Sequence, residues 1–150
     1  MARIHLETRI GAPIERTFDL ARDLDYHQRS MAHTGERIVS GRSGGLIELG
    51  EAVEWEASHF GMKLRLTSRI TEMDRPHAFV DEQVKGAFRG FVHRHGFRED
   101  GAVTLMTDDW EHRAPLGPLG ALADVLFLER YMRKLLQTRN ALLKAEAEKR

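Results

Sequence analysis

Lys63-Leu64-Arg65-Leu66-Thr67-Ser68-Arg69-Ile70-Thr71-Glu72-Met73 alternates in character: Leu64, Leu66 and Ile70 fall on one set of alternate positions, and Lys63, Arg65, Thr67, Arg69 and Thr71 on the other. Successive side chains of a strand point to opposite faces, so this run predicts a strand buried on one side only. The same period extends outward in both directions. Upstream it covers Glu36–Ser40 and Gly50–Phe60; downstream it covers His77–Lys85, Phe88–Arg98 and Val103–Arg113. Turn chemistry separates the runs at Gly41-Arg42-Ser43-Gly44-Gly45, Gly61, Asp74-Arg75-Pro76, Gly86 and Glu99-Asp100-Gly101. Connections this short join antiparallel neighbours.

The two ends of the chain complete the order of elements. Arg3–Ile10 alternates with Ile4, Leu6 and Ile10 on one side and His5, Glu7 and Arg9 on the other, which adds a first strand ending at Gly11. Pro13 and Glu15 suit the start of a short helix whose Ile14, Phe18 and Ala21 recur at helical spacing, and Asp23 is placed to cap a second helix running to about His33. After Ala114-Pro115-Leu116-Gly117-Pro118-Leu119-Gly120 the period changes to that of a helix. Leu122, Val125, Leu126, Met132, Leu135, Leu136, Leu142 and Leu143 form one stripe, opposite Arg130, Arg133, Lys134, Gln137 and Lys144. The fold class is therefore α+β. A curved seven-stranded antiparallel sheet wraps a long C-terminal helix, with two short helices after the first strand, in one domain over residues 1–150. The charged tail Lys144–Arg150 reads as a fraying helix end.

Composition narrows the function classes. Of 150 residues, 23 are basic and 23 acidic, so no net field draws the chain onto nucleic acid or anionic lipid. The absence of cysteine removes disulfides, thiolate metal sites and a thiol nucleophile. No run approaches the roughly 20 apolar residues of a membrane span, and Glu7 interrupts the N-terminus before an apolar run forms, so a cytoplasmic protein without membrane insertion is expected. Ser43-Gly44-Gly45 lacks the Lys-Ser/Thr of a phosphate loop and is read as a turn.

Ile10-Gly11-Ala12-Pro13-Ile14-Glu15-Arg16-Thr17-Phe18, entering the first helix in the pattern "apolar, small, Pro, x, Glu, x, x, Phe", resembles the SRPBCC superfamily, also called START-like, Bet v 1-like or helix-grip proteins. Leu46–Trp55, Phe88–Phe97 and Pro115-Leu116-Gly117 look like a branch of bacterial proteins within that superfamily, which is also labelled polyketide cyclase-like, and the similarity runs over nearly the whole chain. The resemblance implies a cavity between the curled sheet and the C-terminal helix, used for lipids, sterols, aromatic polyketides and other apolar ligands. It implies no particular reaction, since some members are cyclases or aromatases and others are carriers or regulators.

Strand parity selects the side chains that face this cavity. Leu64 and Leu66 follow from the run quoted first. In Glu51–Phe60, Glu54, Glu56 and Ser58 mark the wet face and leave Val53, Trp55, Ala57 and His59 inside. Arg94 and Arg98 turn Phe91, His93, His95 and Phe97 inward. In Val103–Arg113 placing Met106 and Trp110 inside brings Asp108 with them. For His77–Lys85 hydrophobicity favours Val80 and Val84, whereas the family resemblance implies Phe79, Asp81 and Gln83 inward. The expected ligand wall is Trp55, His59, Leu64, Leu66, Gln83, Phe91, His93, His95, Met106, Asp108 and Trp110.

Several uses of this wall stay open. The leading expectation is a binder of a small, largely apolar ligand, lipid-like or aromatic, acting as a monomer or homodimer without a cofactor. The alternative is a cyclase or dehydratase in which His93 or His95 is a general base oriented by Asp108. A third class is an interaction module with a filled core. His93 and His95, two apart on one strand, would offer an imidazole pair to a metal with Asp108 or His59 as third ligand; the plainer reading makes them hydrogen-bonded wall residues with Asp108 fixing a tautomer. His5, His27, His33, His77 and His112 are read as surface or loop residues, and Glu129 as the ion-pair partner of Arg133. Pro115–Gly120 reads equally as a mobile lip at the cavity mouth and as a rigid corner.

Overall fold

A computed structural model describes residues 2–114 and 127–149. Strand β1 (Ala2–Ile10) leads into helices α1 (Ile14–Ala21) and α2 (Leu24–Ser30) and a single 3₁₀ turn at Ala32–Thr34. Six strands follow, β2 (Arg37–Gly41), β3 (Ala52–His59), β4 (Met62–Asp74), β5 (Ala78–Gly86), β6 (Gly90–Asp100) and β7 (Val103–Arg113), and then helix α3 (Glu129–Ala147). The strands form one seven-stranded sheet in the order β1-β7-β6-β5-β4-β3-β2, with every neighbouring pair antiparallel. The helix-grip architecture expected from the alternation is what the chain adopts: a curved antiparallel sheet, the two short helices after its first strand, and the C-terminal helix.

Local chemistry explains most element boundaries. Pro13 stands just outside α1 with extended backbone (φ −60°, ψ 151°), and α1 turns Ile14, Thr17, Phe18 and Ala21 inward. Asp23 caps α2 by accepting from the Asp25 and Tyr26 backbone N–H groups at 3.0 and 3.1 Å. The second helix is shorter than expected. It stops at Ser30, and Gly35, in the left-handed region at φ 69°, ends the 3₁₀ turn that follows.

The core lies between the inner face of the sheet and the helices. Phe18 sits edge-on to Phe79 and Phe97, with ring centroids 5.5 and 5.2 Å apart, at the centre of one cluster that includes Met106 and Leu143. Ile4, Phe91, Trp110, Met132 and Leu136 form a second cluster nearer the start of α3.

Four sequence expectations need correction here. The buried stripe of α3 is Met132, Leu136, Asn140, Leu143 and Ala147, whereas Leu142 is 38% exposed: spacings of four, four, three and four keep one face inward, and Leu142 lies off it. The end of α3 is tied down, not frayed, because Arg16 donates to the carbonyls of Ala147 (2.8 Å) and Glu146 (3.1 Å), and Glu148 accepts from the Gly11 N–H at 2.7 Å. Glu56 is on the outer face but buried, covered by Arg37 and Arg65, whose guanidinium groups donate to it at 2.9 and 3.1 Å. His112 is a core residue, since it shares the inward parity of Trp110 and accepts from that indole N–H at 2.7 Å. Glu129 and Arg133 do approach each other, at 3.9 Å. Leu122, Val125, Leu126 and the Pro115–Gly120 corner lie outside the described residues.

Candidate functional site

A cavity of about 340 Å³ lies inside the sheet, against α2 and α3. Trp55 and His59 from β3, Leu64 and Leu66 from β4, Phe91 and His93 from β6, and Trp110 from β7 all border it. Strand parity thus brings seven of the eleven expected wall residues to one surface. The other four stand elsewhere. His95 and Asp108 are buried behind the wall, and Met106 packs into the Phe18 cluster. Gln83 closes the β5–β6 turn, its Nε2 donating to the Phe88 carbonyl at 2.7 Å. Its Oε1 is buried without a hydrogen-bond partner among the described residues.

The polar part of the wall is a layered cluster spanning three strands. In register, Asp81 on β5 is opposite His93 on β6, and His95 is opposite Asp108 on β7. The side chains nevertheless bond diagonally. His93 Nε2 meets Asp108 Oδ1 at 2.7 Å, and His95 Nε2 meets Asp81 Oδ2 at 2.9 Å. Each carboxylate is an acceptor, so each Nε2 carries the proton. The two imidazoles stack with centroids 3.7 Å apart, and His95 stacks on Phe79 at 4.1 Å on its other side. Asn140 of α3 donates from Nδ2 to Asp108 Oδ2 at 2.6 Å, completing a chain that runs from Asp81 to the C-terminal helix.

Burial and the hydrogen-bonded partners compete in setting the ionisation of this cluster. Desolvation pushes His95 down to about 4, reinforced by the charge of His93 and only partly opposed by Asp81. Burial pushes Asp108 the other way, but the hydrogen bond and charge of His93, with His95 and Arg139, hold it well below the carboxylate range. Asp81 is likewise lowered despite burial, chiefly through His95.

A second polar set borders the cavity beside Trp55. His27 Nε2 bonds Glu36 Oε1 at 2.8 Å, and its ring lies 4.7 Å from the Trp55 ring. Burial would raise the Glu36 carboxyl, yet the charge and hydrogen bond of His27 keep it below its ordinary value. The Tyr131 hydroxyl of α3 is hydrogen-bonded to His59 Nδ1, and burial lowers the His59 imidazole and raises the Tyr131 phenol. Arg139 of α3 also lines the cavity.

Parity missed several of these groups for identifiable reasons. Asp81 is reached by the family resemblance but not by hydrophobicity, because Val80 on the opposite face of β5 is itself buried, at 1% exposure. Helical spacing turns His27 inward on α2 but gives it no partner, and Glu36 stands just ahead of β2, where strand parity does not apply. Arg139 and Asn140 sit on a helix where a polar residue next to the apolar stripe reads as a solvated one. The signal that could have found Asn140 was its spacing, four residues after Leu136 and three before Leu143.

A family described as polyketide cyclase / dehydrase and lipid transport matches residues 1–148. The chain belongs to this family. No curated protein matches the chain. Among solved structures, the family member described here is similar to TTHA0849 from Thermus thermophilus at 20% identity and a TM-score of 0.74, over 98% of this chain and 100% of that one. It is similar to CV1439 from Chromobacterium violaceum at 14% identity and a TM-score of 0.71, over 99% and 98% of the two chains. It is similar also to major latex-like protein 151 from Panax ginseng at 16% identity and a TM-score of 0.65, again over 99% and 98%. At such identities the likeness is one of fold.

Proposed function

We propose that this protein binds a small, largely apolar molecule, lipid-like or aromatic, in the cavity between its sheet and α3. The observation that carries the reading is the cavity itself: about 340 Å³ walled by Trp55, Leu64, Leu66, Phe91 and Trp110, with a few polar groups at defined points. That volume falls at the small end of the roughly 300–1,000 Å³ typical of ligand sites. Apolar burial drives association, and the polar groups orient the occupant by hydrogen bonds. The family description, with its lipid transport, supports the same class of ligand.

Native mass spectrometry of the purified protein, followed by organic extraction, tests this. A bound apolar molecule of matching mass is expected. Protein that carries none, and takes up none of a panel of fatty acids and polycyclic aromatics, overturns the reading.

A second reading rests on the His93–Asp108 pair. With Nε2–H given to Asp108, the unprotonated Nδ1 of a cavity-lining imidazole is a general base, as cyclisation or dehydration of a polyketide-like substrate requires. The family's cyclase and dehydrase members support it. Its test is turnover of such a substrate by wild type and not by His93→Gln.

A further inference from the structure

We propose that Asp81, His93 and His95 form a binding site for one divalent first-row transition-metal ion, with its open coordination position facing the apolar cavity. Each of the three offers one ligand atom, and these atoms all lie within 4.8 Å of one another. Metal–ligand bonds of about 2.0–2.2 Å bring such atoms to roughly 3 Å apart, so side-chain adjustments of an ångström or two close the shell without moving the strands. The backbone is suited to this. His93 and His95 project from the same face of β6, and Asp81 is held opposite His93 by the β5–β6 register.

Charge points the same way. Two carboxylates, Asp81 and Asp108, meet in one cluster in which His93, His95 and Asp108 are each 2% exposed. A divalent cation offsets both. Arg139 acts on these carboxylates and on Glu36 as well, so one guanidinium serves three acids.

The surroundings supply what a metal-bound imidazole needs. Asp108 accepts from His93 Nε2, which leaves Nδ1 as the free nitrogen of that ring, and Asn140 fixes Asp108 in turn; His95 frees its Nε2 for the ion by moving that proton to Nδ1, 3.7 Å from Asp108 Oδ1. Asp81 and His93 border the cavity while His95 lies behind them, so an ion enters from the cavity and keeps its vacant position on that side. Two imidazoles and a carboxylate with an open position suit Fe²⁺, Zn²⁺, Mn²⁺ or Co²⁺. The third ligand is Asp81, and Asp108 is the supporting carboxylate behind His93. An ion here occupies the His93 lone pair and so replaces the general-base use of that residue. The site stands independently of the apolar-ligand reading, and its test requires no organic ligand.

Tag-free protein is stripped with chelator, incubated with Zn²⁺ or Co²⁺ at pH 7.5 and freed of unbound metal by gel filtration. About one equivalent is expected to remain bound, Asp81→Asn is expected to weaken binding at least tenfold, and His33→Ala at an exposed histidine is expected to change nothing. Folded wild type that retains less than a tenth of an equivalent of Zn²⁺, Co²⁺, Mn²⁺ and anaerobic Fe²⁺ overturns the proposal, as does unchanged binding by Asp81→Asn. Should Asp81→Asn not fold, X-ray absorption of the Co²⁺-loaded wild type decides: a shell with two imidazoles is expected, and a shell without imidazole overturns the site.

Discussion

Asn140 of α3 reaches across to the sheet and donates to Asp108 on β7 at 2.6 Å, so the C-terminal helix is fastened to the buried acid–imidazole cluster by a polar bond as well as by apolar packing. Both residues are almost fully buried. Asn140→Ala leaves a buried carboxylate oxygen without its donor and is expected to cost about 1–3 kcal/mol. Urea unfolding followed by circular dichroism checks this; a loss under about 0.5 kcal/mol would show that water replaces the amide.

Acid sensitivity should begin at His95. Its imidazole titrates at about 4 in the folded protein and near 6.5 in the unfolded chain, so above pH 6.5 neither state holds the extra proton and the group contributes no slope. Between about pH 6.5 and 4 the unfolded chain binds more protons, and stability falls as pH is lowered, by about 3 kcal/mol across the window. Asp81 and Asp108, whose folded values are depressed, add a further loss only as pH falls below the ordinary carboxylate range. Urea midpoints should therefore begin to decline between about pH 6.5 and 5.5, above the ordinary carboxylate range, and His95→Gln should reduce that decline, leaving the part that His59, also lowered by burial, supplies. An equal slope in the variant would remove His95 as its source.

Filling the cavity should separate binding from folding. Leu64 borders the hollow from β4, and Leu64→Trp places an indole where a ligand would lie. Affinity for a neutral fluorescent probe such as N-phenyl-1-naphthylamine is expected to drop at least tenfold, about 1.4 kcal/mol, with the melting temperature within a few degrees of wild type. Unchanged probe affinity would place the probe elsewhere on the protein.

The end of α3 supplies a further test. Arg16 satisfies carbonyls that a helix terminus leaves without intrahelical partners. Arg16→Ala is expected to cost about 1 kcal/mol, less than a fully buried charged bond because part of the guanidinium is solvated, and to speed amide exchange in the last turn around Ala147. Exchange protection equal to wild type would mean that the Gly11–Glu148 bond holds the terminus alone.

The sheet was legible because its alternation is driven by burial on one face, a property that each strand carries within its own sequence. Ile4, Val53, Ile70, Phe91, Phe97 and Met106 all read inward for that reason and are inward. Parity assigns faces and not distances, however. It could place His93, His95 and Asp108 on the same side without revealing that His93 pairs diagonally with Asp108 while His95 turns to Asp81. Nor could it see depth: Met106 and Phe91 share an inward face, yet only Phe91 borders the cavity, because Met106 is packed into the cluster around Phe18 of α1. On α3 the rule that polar means outside concealed Asn140, whose amide is inward because Asp108 is waiting for it. Such exceptions mark the places where a partner on another element outweighs the preference of the residue itself.

Strand order has a consequence for synthesis. β1 is hydrogen-bonded along its length to β7, with Ile4 facing Trp110, so β1 finds its partner only after the five strands between them in sequence have been translated. Until then both β1 and β6 present unpaired backbone, and contacts this distant in sequence form slowly. A nascent chain halted before Val103 leaves β1 and the edge of β6 open in addition to the edge of β2, so the unfinished form exposes more unpaired backbone to aggregation than the completed fold.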